Sequence, residues 1–349
     1  MNNLRMSDYP MLSLDAAPGG IMQFDAGGMA FLVGELEKRD EKLREPLSSV
    51  TWMRDMPVKT GGGFVDSIAS FNVSYGSSGG TADGLMQNES NELPVIQADI
   101  EKDSYRVFMW GHILKVPMID QEKLQKVGRS LDQIFDKGLR LNHDKKMDEN
   151  VYYGFPKYGS YGLVNHPSVT SVVADPHTAG GTDTQWNVKT PAEILHDINN
   201  VLTGTIAASE YDNRGMANHI LIPWEAYTYI VTTELSDGSG KSILTYLMEN
   251  NIATKQGIDL TIVPCRQCKG AGTGGSDRMV AYRNDEDMIG MDITVPIRRL
   301  FTQPSAEHLA YLTPYVTQFS QVQFKYLTHA MYVDGIWGEW GEVTPSNPS

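Results

Sequence analysis

The sequence predicts an α+β chain, and three observations carry that prediction. A long amphipathic helix runs from Asp120 to about Met147, with Leu124, Val127, Leu131, Ile134, Phe135 and Leu139 recurring at spacings of three and four. Strand-like and helix-like segments then alternate from 190 to 300, as in a compact α/β region. The stretch Tyr311 to Val333 is rich in Thr, Val, Phe and Tyr with period-two runs, as paired antiparallel strands are. At 349 residues the chain can bury a substantial core, as one large domain or two to three small ones.

Taken in order, residues 1–28 carry Pro10, Pro18 and two Gly-Gly pairs and read as an extended arm. Ala30 to Leu43 is helical in pattern, and Pro46 stops it. Val50-Thr-Trp-Met53 and Ser104 to Trp110 are strand-like in composition. Between them lies a polar, Gly- and Ser-rich stretch in which Phe64-Val65 and Ile68 to Val73 alternate well enough for another strand. A structureless loop of that length is unusual inside a compact domain, so the segment is expected to project outward or carry a partner contact. For the long helix, Asp120 is the expected N-cap and Lys145-Lys146 suit the negative end of the dipole. Thr190-Pro-Ala-Glu193 predicts a helix start with a capping box. Ile220–Ile222 is a short strand, Pro223 opens a helix through Trp224, Tyr227 and Ile230, and Ser242 to Asn251 is another helix. Strands are expected at Leu260–Val263, Met279–Tyr282 and Ile293–Ile297. The tail from Gly338 is polar, with Trp337 and Trp340 either anchoring an assembly or folding back on their own domain.

Composition narrows the function classes. With 41% apolar and 21% charged residues, ordinary globular values, the composition argues against wholesale disorder. A formal charge of -14 argues against a surface built to grip phosphates, although an acidic lining can enclose nucleic acid without adhering to it. The first nine residues lack the basic start and apolar core of a secretory signal, and no uncharged apolar run reaches the roughly 18–20 residues of a spanning helix. A chain that is soluble when made, with no membrane partner, is the expectation.

Candidate chemistry is sparse. Cys265 and Cys268 form one Cys-x-x-Cys, too few for a zinc site without other ligands, and a Gly-rich stretch follows where a redox dithiol needs a helix. Asp237-Gly-Ser-Gly-Lys-Ser242 imitates the end of a phosphate-binding loop through Gly240, Lys241 and Ser242. The full motif requires a Gly five residues before Gly240, and Leu235 stands there. Gly270 to Gly275 precedes a strand, the wrong order for a dinucleotide fold. The eight histidines are scattered, and His196-Asp197 reads as a solvated pair on a helix flank. No catalytic, cofactor-binding or metal-binding residue is therefore assigned, and no enzyme activity is expected.

The order of blocks in the C-terminal half is more specific than any of these motifs. Gly162-Leu-Val-Asn-His-Pro167 is followed by Thr190 to Ile198, Ile220-Leu-Ile-Pro223, Ile258 to Pro264, Asp277-Arg-Met-Val-Ala-Tyr-Arg283 and Tyr332-Val-Asp-Gly-Ile336. This succession resembles the HK97-fold major capsid proteins of tailed bacteriophages, in the branch known as DUF2184, most clearly over about 160–336. The resemblance implies an HK97-like fold with an N-terminal arm (1–46), an extended loop with flanking strands (47–116), a spine helix and peripheral domain (117–189), an axial α/β domain (190–305), and peripheral return strands with a tail (306–349). It implies a shell of pentamers and hexamers of the chain itself, assembled in the host bacterial cytoplasm with a scaffold protein and a portal. Such a shell encloses double-stranded DNA without reading its sequence, and leaves room for a decoration protein. Some members crosslink neighbours through a Lys and an Asn; neither position aligns here, so non-covalent holding is expected. No long charged helical extension precedes residue 28, so a separate scaffold is expected. An encapsulin shell around an enzyme cargo is the alternative within the fold, and an α/β nucleotide-binding enzyme the alternative outside it.

Overall fold

In a computed structural model, which describes residues 49–78, 95–120, 131–178, 182–235 and 240–338, alternate residues of three central strands sort into two cores. Ile220 and Ile222, Met279 and Ala281, and Val333 face one core; Leu221, Val280 and Tyr282, and Ala330 and Tyr332 face the other. A sheet buried on both faces needs apolar residues at every position, which is why these strands read as continuous apolar runs. The five-stranded sheet has the order Thr170–Val173 (β4), Ala330–Asp334 (β13), Arg278–Tyr282 (β7), His219–Ile222 (β5) and Thr261–Pro264 (β6). Its outer pairs are parallel and its two inner pairs antiparallel. Segment 190–305 thus shares its sheet with strands drawn from 117–189 and from 306–349.

One face of the sheet is covered by helices Pro191–Ala207, Trp224–Thr232 and Ile243–Asn250. The first starts with the expected capping box: Thr190 Oγ1 accepts from the Glu193 backbone and the Glu193 carboxylate accepts from the Thr190 N–H. Ser242 caps the third by accepting from the Thr245 N–H. Trp337 belongs to this core and rests against Tyr229 at 5.6 Å, so it folds back on its own unit.

The other face meets the end of the long helix Leu131–Tyr152 and strand Ile289–Ile293 (β8). Strand β8 lies between Val58–Thr60 (β1) and Gln323–Phe324 (β12). A further sheet holds Gln303–Ser305 (β10), Ala310–Ser320 (β11), Val95–Pro117 (β3) and Ser67–Ser78 (β2) in that order, with Val295–Arg299 (β9) also pairing β11.

Several expectations change. Val50–Met53 is not a strand: Trp52–Asp55 is a helical turn, because Trp52 and Asp55 are both buried and a strand would point them to opposite faces. Asp120 does not cap the long helix, since Met118–Asp120 are already helical; the chain turns directly after Pro117, the last residue of β3 paired to β11. The helix also runs past Lys145-Lys146 to Tyr152, carried by the fully buried Met147, Val151 and Tyr152, and has no basic residue in its last turn. The expected strand Ile293–Ile297 is two strands in different sheets, divided at Thr294, whose hydroxyl turns to the Gln318 carbonyl and side chain. Likewise, β11 and β13 belong to different sheets. The arm, the helix at Ala30–Leu43, Leu124, Val127 and Trp340 lie outside the described residues.

Candidate assembly surface

Each motif that could carry chemistry is occupied by a structural role. The Lys241 ammonium pairs with Glu249 at 2.7 Å and the Ser242 hydroxyl caps a helix, so neither is poised over a phosphate. Cys265 and Cys268 are free and buried, and burial pushes the Cys268 thiol well above its ordinary pKa, which keeps it unreactive. His196-Asp197 is not a solvated pair. His196 is exposed beside Asp175, whereas Asp197 is buried and accepts from Trp186 Nε1 at 2.9 Å and Lys189 Nζ at 2.5 Å. Among the described residues no group of three or more His, Cys, Asp or Glu could hold a metal, and no helix is long and apolar enough to cross a membrane.

A buried Asp–His pair went unseen in the sequence. The Asp55 carboxylate, 0% exposed, receives hydrogen bonds from Arg54, from Tyr152 and from His219 Nε2 at 3.1 Å, and Tyr282 donates to its backbone carbonyl at 2.5 Å. Burial pushes its pKa up, but the bonds from Arg54, His219 and Tyr152 outweigh burial and leave it below the ordinary carboxylate value. The phenols of Tyr152 and Tyr282 are raised by burial and stay protonated donors. Arg54 reaches solvent at the rim, but Asp55, Tyr152, His219 and Tyr282 are buried and bonded to one another, and the cluster pins residues 51–56 to the sheet.

The sequence blocks that carry the capsid resemblance prove to be contacts with one another. Arg278 lies opposite Asp334 in the β7–β13 ladder and grips its carboxylate with two bonds of 2.6 and 2.9 Å, while donating to the Val164 carbonyl at 2.7 Å. Its guanidinium stacks 4.4 Å from the Tyr332 ring. The Tyr332 hydroxyl donates to the Leu163 carbonyl at 2.7 Å and accepts from the His166 N–H at 3.1 Å. Gly162 lies against the end of the long helix, where a Cβ would fall 2.3 Å from the Tyr152 backbone. Gly335 has φ +84, which a side-chain-bearing residue resists, and its carbonyl accepts from the Thr184 hydroxyl at 2.6 Å.

Among the described residues, a β-ribbon is left uncovered. Residues Ser67–Ser78 pair antiparallel with Val95–Arg106, and the second half of β3 pairs with β11 instead. Within the ribbon, Phe71, Val73 and Tyr75 share one face with Ile96, Ala98 and Ile100, because alternate residues point the same way and Val73 lies opposite Ile100. That face is apolar yet solvent-exposed: Phe71 is 64%, Tyr75 78% and Ile96 76% exposed. The opposite face carries Asn72, Asp99, Glu101 and Asp103, with Asn72 donating to Asp103 at 2.7 Å. The sequence reading found β2 but took 95–103 for part of the polar stretch. The signal was the alternation Ile96, Ala98, Ile100, diluted by the polar Gln97 and Asp99 between.

The described fold joins an exposed amphipathic ribbon, a long helix and a sheet buried on both faces. A family model for the major capsid protein matches residues 80–336, and the chain belongs to that family. Its fold matches the capsid of Myoviridae phage XM1 (17% identity, 91% of this chain and 100% of that one, TM-score 0.70). It also matches the capsid of an empty GTA particle (10% identity, 90% and 98%, TM-score 0.57) and Mycobacterium phage Cain (11% identity, 89% and 94%, TM-score 0.55). No curated protein sequence matches the chain. The protein is a major capsid protein, a self-assembling structural component of the virion, and an encapsulin is not favoured.

Proposed function

We propose that copies of this chain assemble as hexamers and pentamers into a closed icosahedral head that encloses double-stranded DNA, with the ribbon of β2 and β3 laid across a neighbouring subunit. The observation that carries this reading is the ribbon's exposed apolar face. A two-stranded ribbon is marginally stable alone, and an apolar patch of that extent on a monomer marks a contact surface. The net charge of -14 suits a wall that holds DNA without adhering to it. In this reading segments 1–46, 47–116, 117–189, 190–305 and 306–349 serve as arm, extended loop, spine with peripheral domain, axial domain and return strands. Subunits are held without covalent crosslinks. Assembly takes place in the host cytoplasm with a separate scaffold and a portal, and a decoration protein can be added. The chain has no catalytic residue and needs no cofactor.

Negative-stain electron microscopy of the purified protein, expressed alone and with a neighbouring scaffold gene, tests the proposal. Uniform icosahedral shells, or rings of five and six, are expected. Dispersed monomers under both conditions would sink it, and a ladder of covalent multimers on denaturing gels would overturn non-covalent holding.

A further inference from the structure

Strand β2 has a free edge that differs from every other sheet edge among the described residues. It runs for 12 residues and pairs there only with β3. The other outermost strands, β1, β12, β10, β9, β4 and β6, are each five residues or fewer. An exposed edge is a template for a further strand, and proteins blunt such edges with charge, proline or short length. Strand β2, Ser67-Ile-Ala-Ser-Phe-Asn-Val-Ser-Tyr-Gly-Ser-Ser78, has none of these. Its outward main-chain groups follow from β3. The Arg106 carbonyl accepts from the Gln321 N–H at 2.9 Å, on the β11 side and away from β2. Arg106 lies opposite Ser67, so Ser67 turns its own N–H and C=O away from β3. The direction alternates along a strand, so Ala69, Phe71, Val73 and Tyr75 also turn theirs to the free edge. The same residues carry the ribbon's apolar face, where Val73 is 50% exposed.

The sequence of this edge is symmetric. Two positions to either side of Val73 stand aromatics, Phe71 and Tyr75, and four positions to either side stand small residues, Ala69 and Ser77. Identical strands related by a two-fold axis pair antiparallel, so residue i of one meets residue j of the other and j meets i. Centred on Val73, Phe71 meets Tyr75 twice, and aromatic pairs opposite one another stabilise a ladder. A strand from an unrelated protein would call for no such symmetry. Charge agrees with a second copy as well. The acidic row Asp99, Glu101 and Asp103 lies on β3, one strand in from the edge. In a self-paired sheet the two acidic rows stand three strand spacings apart, roughly 14 Å. That exceeds the Debye length of about 8 Å at physiological salt, so the rows scarcely repel.

We propose that β2 pairs antiparallel with β2 of a second copy across a two-fold axis at Val73, joining two ribbons into one four-stranded sheet. A closed lattice of pentamers and hexamers holds two-fold axes between neighbouring rings, so each subunit has one such partner. The inference rests on the assembly reading above, and adds an edge contact to the face contact proposed there.

The test uses the full chain carrying Val73→Cys, assembled into particles and oxidised with diamide. Two copies of residue 73 would lie directly opposite, with Cα atoms about 5.5 Å apart and within disulfide reach. The native Cys265 and Cys268 are buried, and the unsubstituted chain reports their background. Ala69→Cys is the control, because its two copies would stand roughly 27 Å apart along the paired strands. Most of the Val73→Cys chain is expected to shift from monomer to dimer on non-reducing gels, with Ala69→Cys left monomeric. Shells in which Val73→Cys stays monomeric, or in which both variants dimerise equally, overturn the edge pairing and leave the assembly reading standing. Failure of the unsubstituted chain to form shells or rings sinks the assembly reading itself. A second measurement avoids cysteine. Val73→Lys sets two ammonium groups face to face at the axis, whereas Ala98→Lys puts the same charge on the apolar face but on β3, off the edge. Val73→Lys is expected to raise the subunit concentration needed for assembly by about tenfold more than Ala98→Lys. The melting temperature of unassembled subunits serves as the folding control. Equal effects of the two lysines, with folding intact, mean that the face alone makes the contact and the edge pairing is wrong.

Discussion

The helix-covered sheet and the ribbon are both built from alternating apolar strands, yet one is closed and the other open. In β5, β7 and β13 both faces of every strand meet a core within the same compact unit, which starts at Val50. In the ribbon, Val73 and Ile100 present the same kind of side chain to water. Similar strand chemistry thus serves folding in one region and, in the proposed assembly, association in the other, and the difference lies in what covers it. Stability of the lone subunit should depend on the sheet, and assembly on the ribbon.

That division can be broken first at its strongest point. Asp334→Ala leaves Arg278 buried without its partner, and loss of about 3–5 kcal/mol of subunit stability is expected in urea unfolding. A loss below about 1 kcal/mol would show that the ladder's ion pair is dispensable. Next, Tyr75→Ala and Ile96→Ala should weaken subunit association by about 2 kcal/mol, read by sedimentation velocity. The same changes should move subunit stability by less than about 0.5 kcal/mol. Equal effects on both measurements would erase the distinction between the regions. Thr190→Ala removes one half of a capping box and should cost about 1 kcal/mol of stability, leaving the geometry of assembled shells unchanged. The smallest effect is a pH dependence. Burial lowers the His143 pKa below 6.5, outweighing its bond to Asp144, so the unfolded chain takes up the proton first. The stability His143 contributes is present above about pH 6.5 and declines as pH falls toward its lower folded value. His143→Phe should flatten the fall in melting temperature between about pH 7 and 5.5; an unchanged slope would show that His143 is not its source.

Features encoded within a few residues were legible in the sequence. Thr190 and Glu193 meet within one turn, and the apolar runs of β5 and β7 needed no knowledge of their partners. Features made by distant residues were not. Asp55 and His219 are 164 positions apart, and neither stands in a motif. His143 hid the continuation of the long helix's buried face, which passes through it from Leu139 to Met147 and Val151. The helical turn at Trp52 looked like a strand because its composition is β-like and its burial pattern is tertiary. The capsid blocks were legible as an order of motifs, and their reason emerged only when Arg278, Asp334, Tyr332 and Leu163 proved to touch.

Strand β3 runs for 23 residues without interruption, its first half in the ribbon and its second half in the sheet with β11. At about 3.3 Å per residue it is a beam roughly 75 Å long. Each half is clamped by hydrogen bonds to a different partner, and no break in its ladder offers a hinge. A neighbour that presses on the ribbon therefore applies torque to the floor beneath the long helix, and a twist of that floor swings the ribbon. In a closed lattice such beams would pass mechanical load from one subunit to the next, so that a change of curvature is felt by the whole ring together.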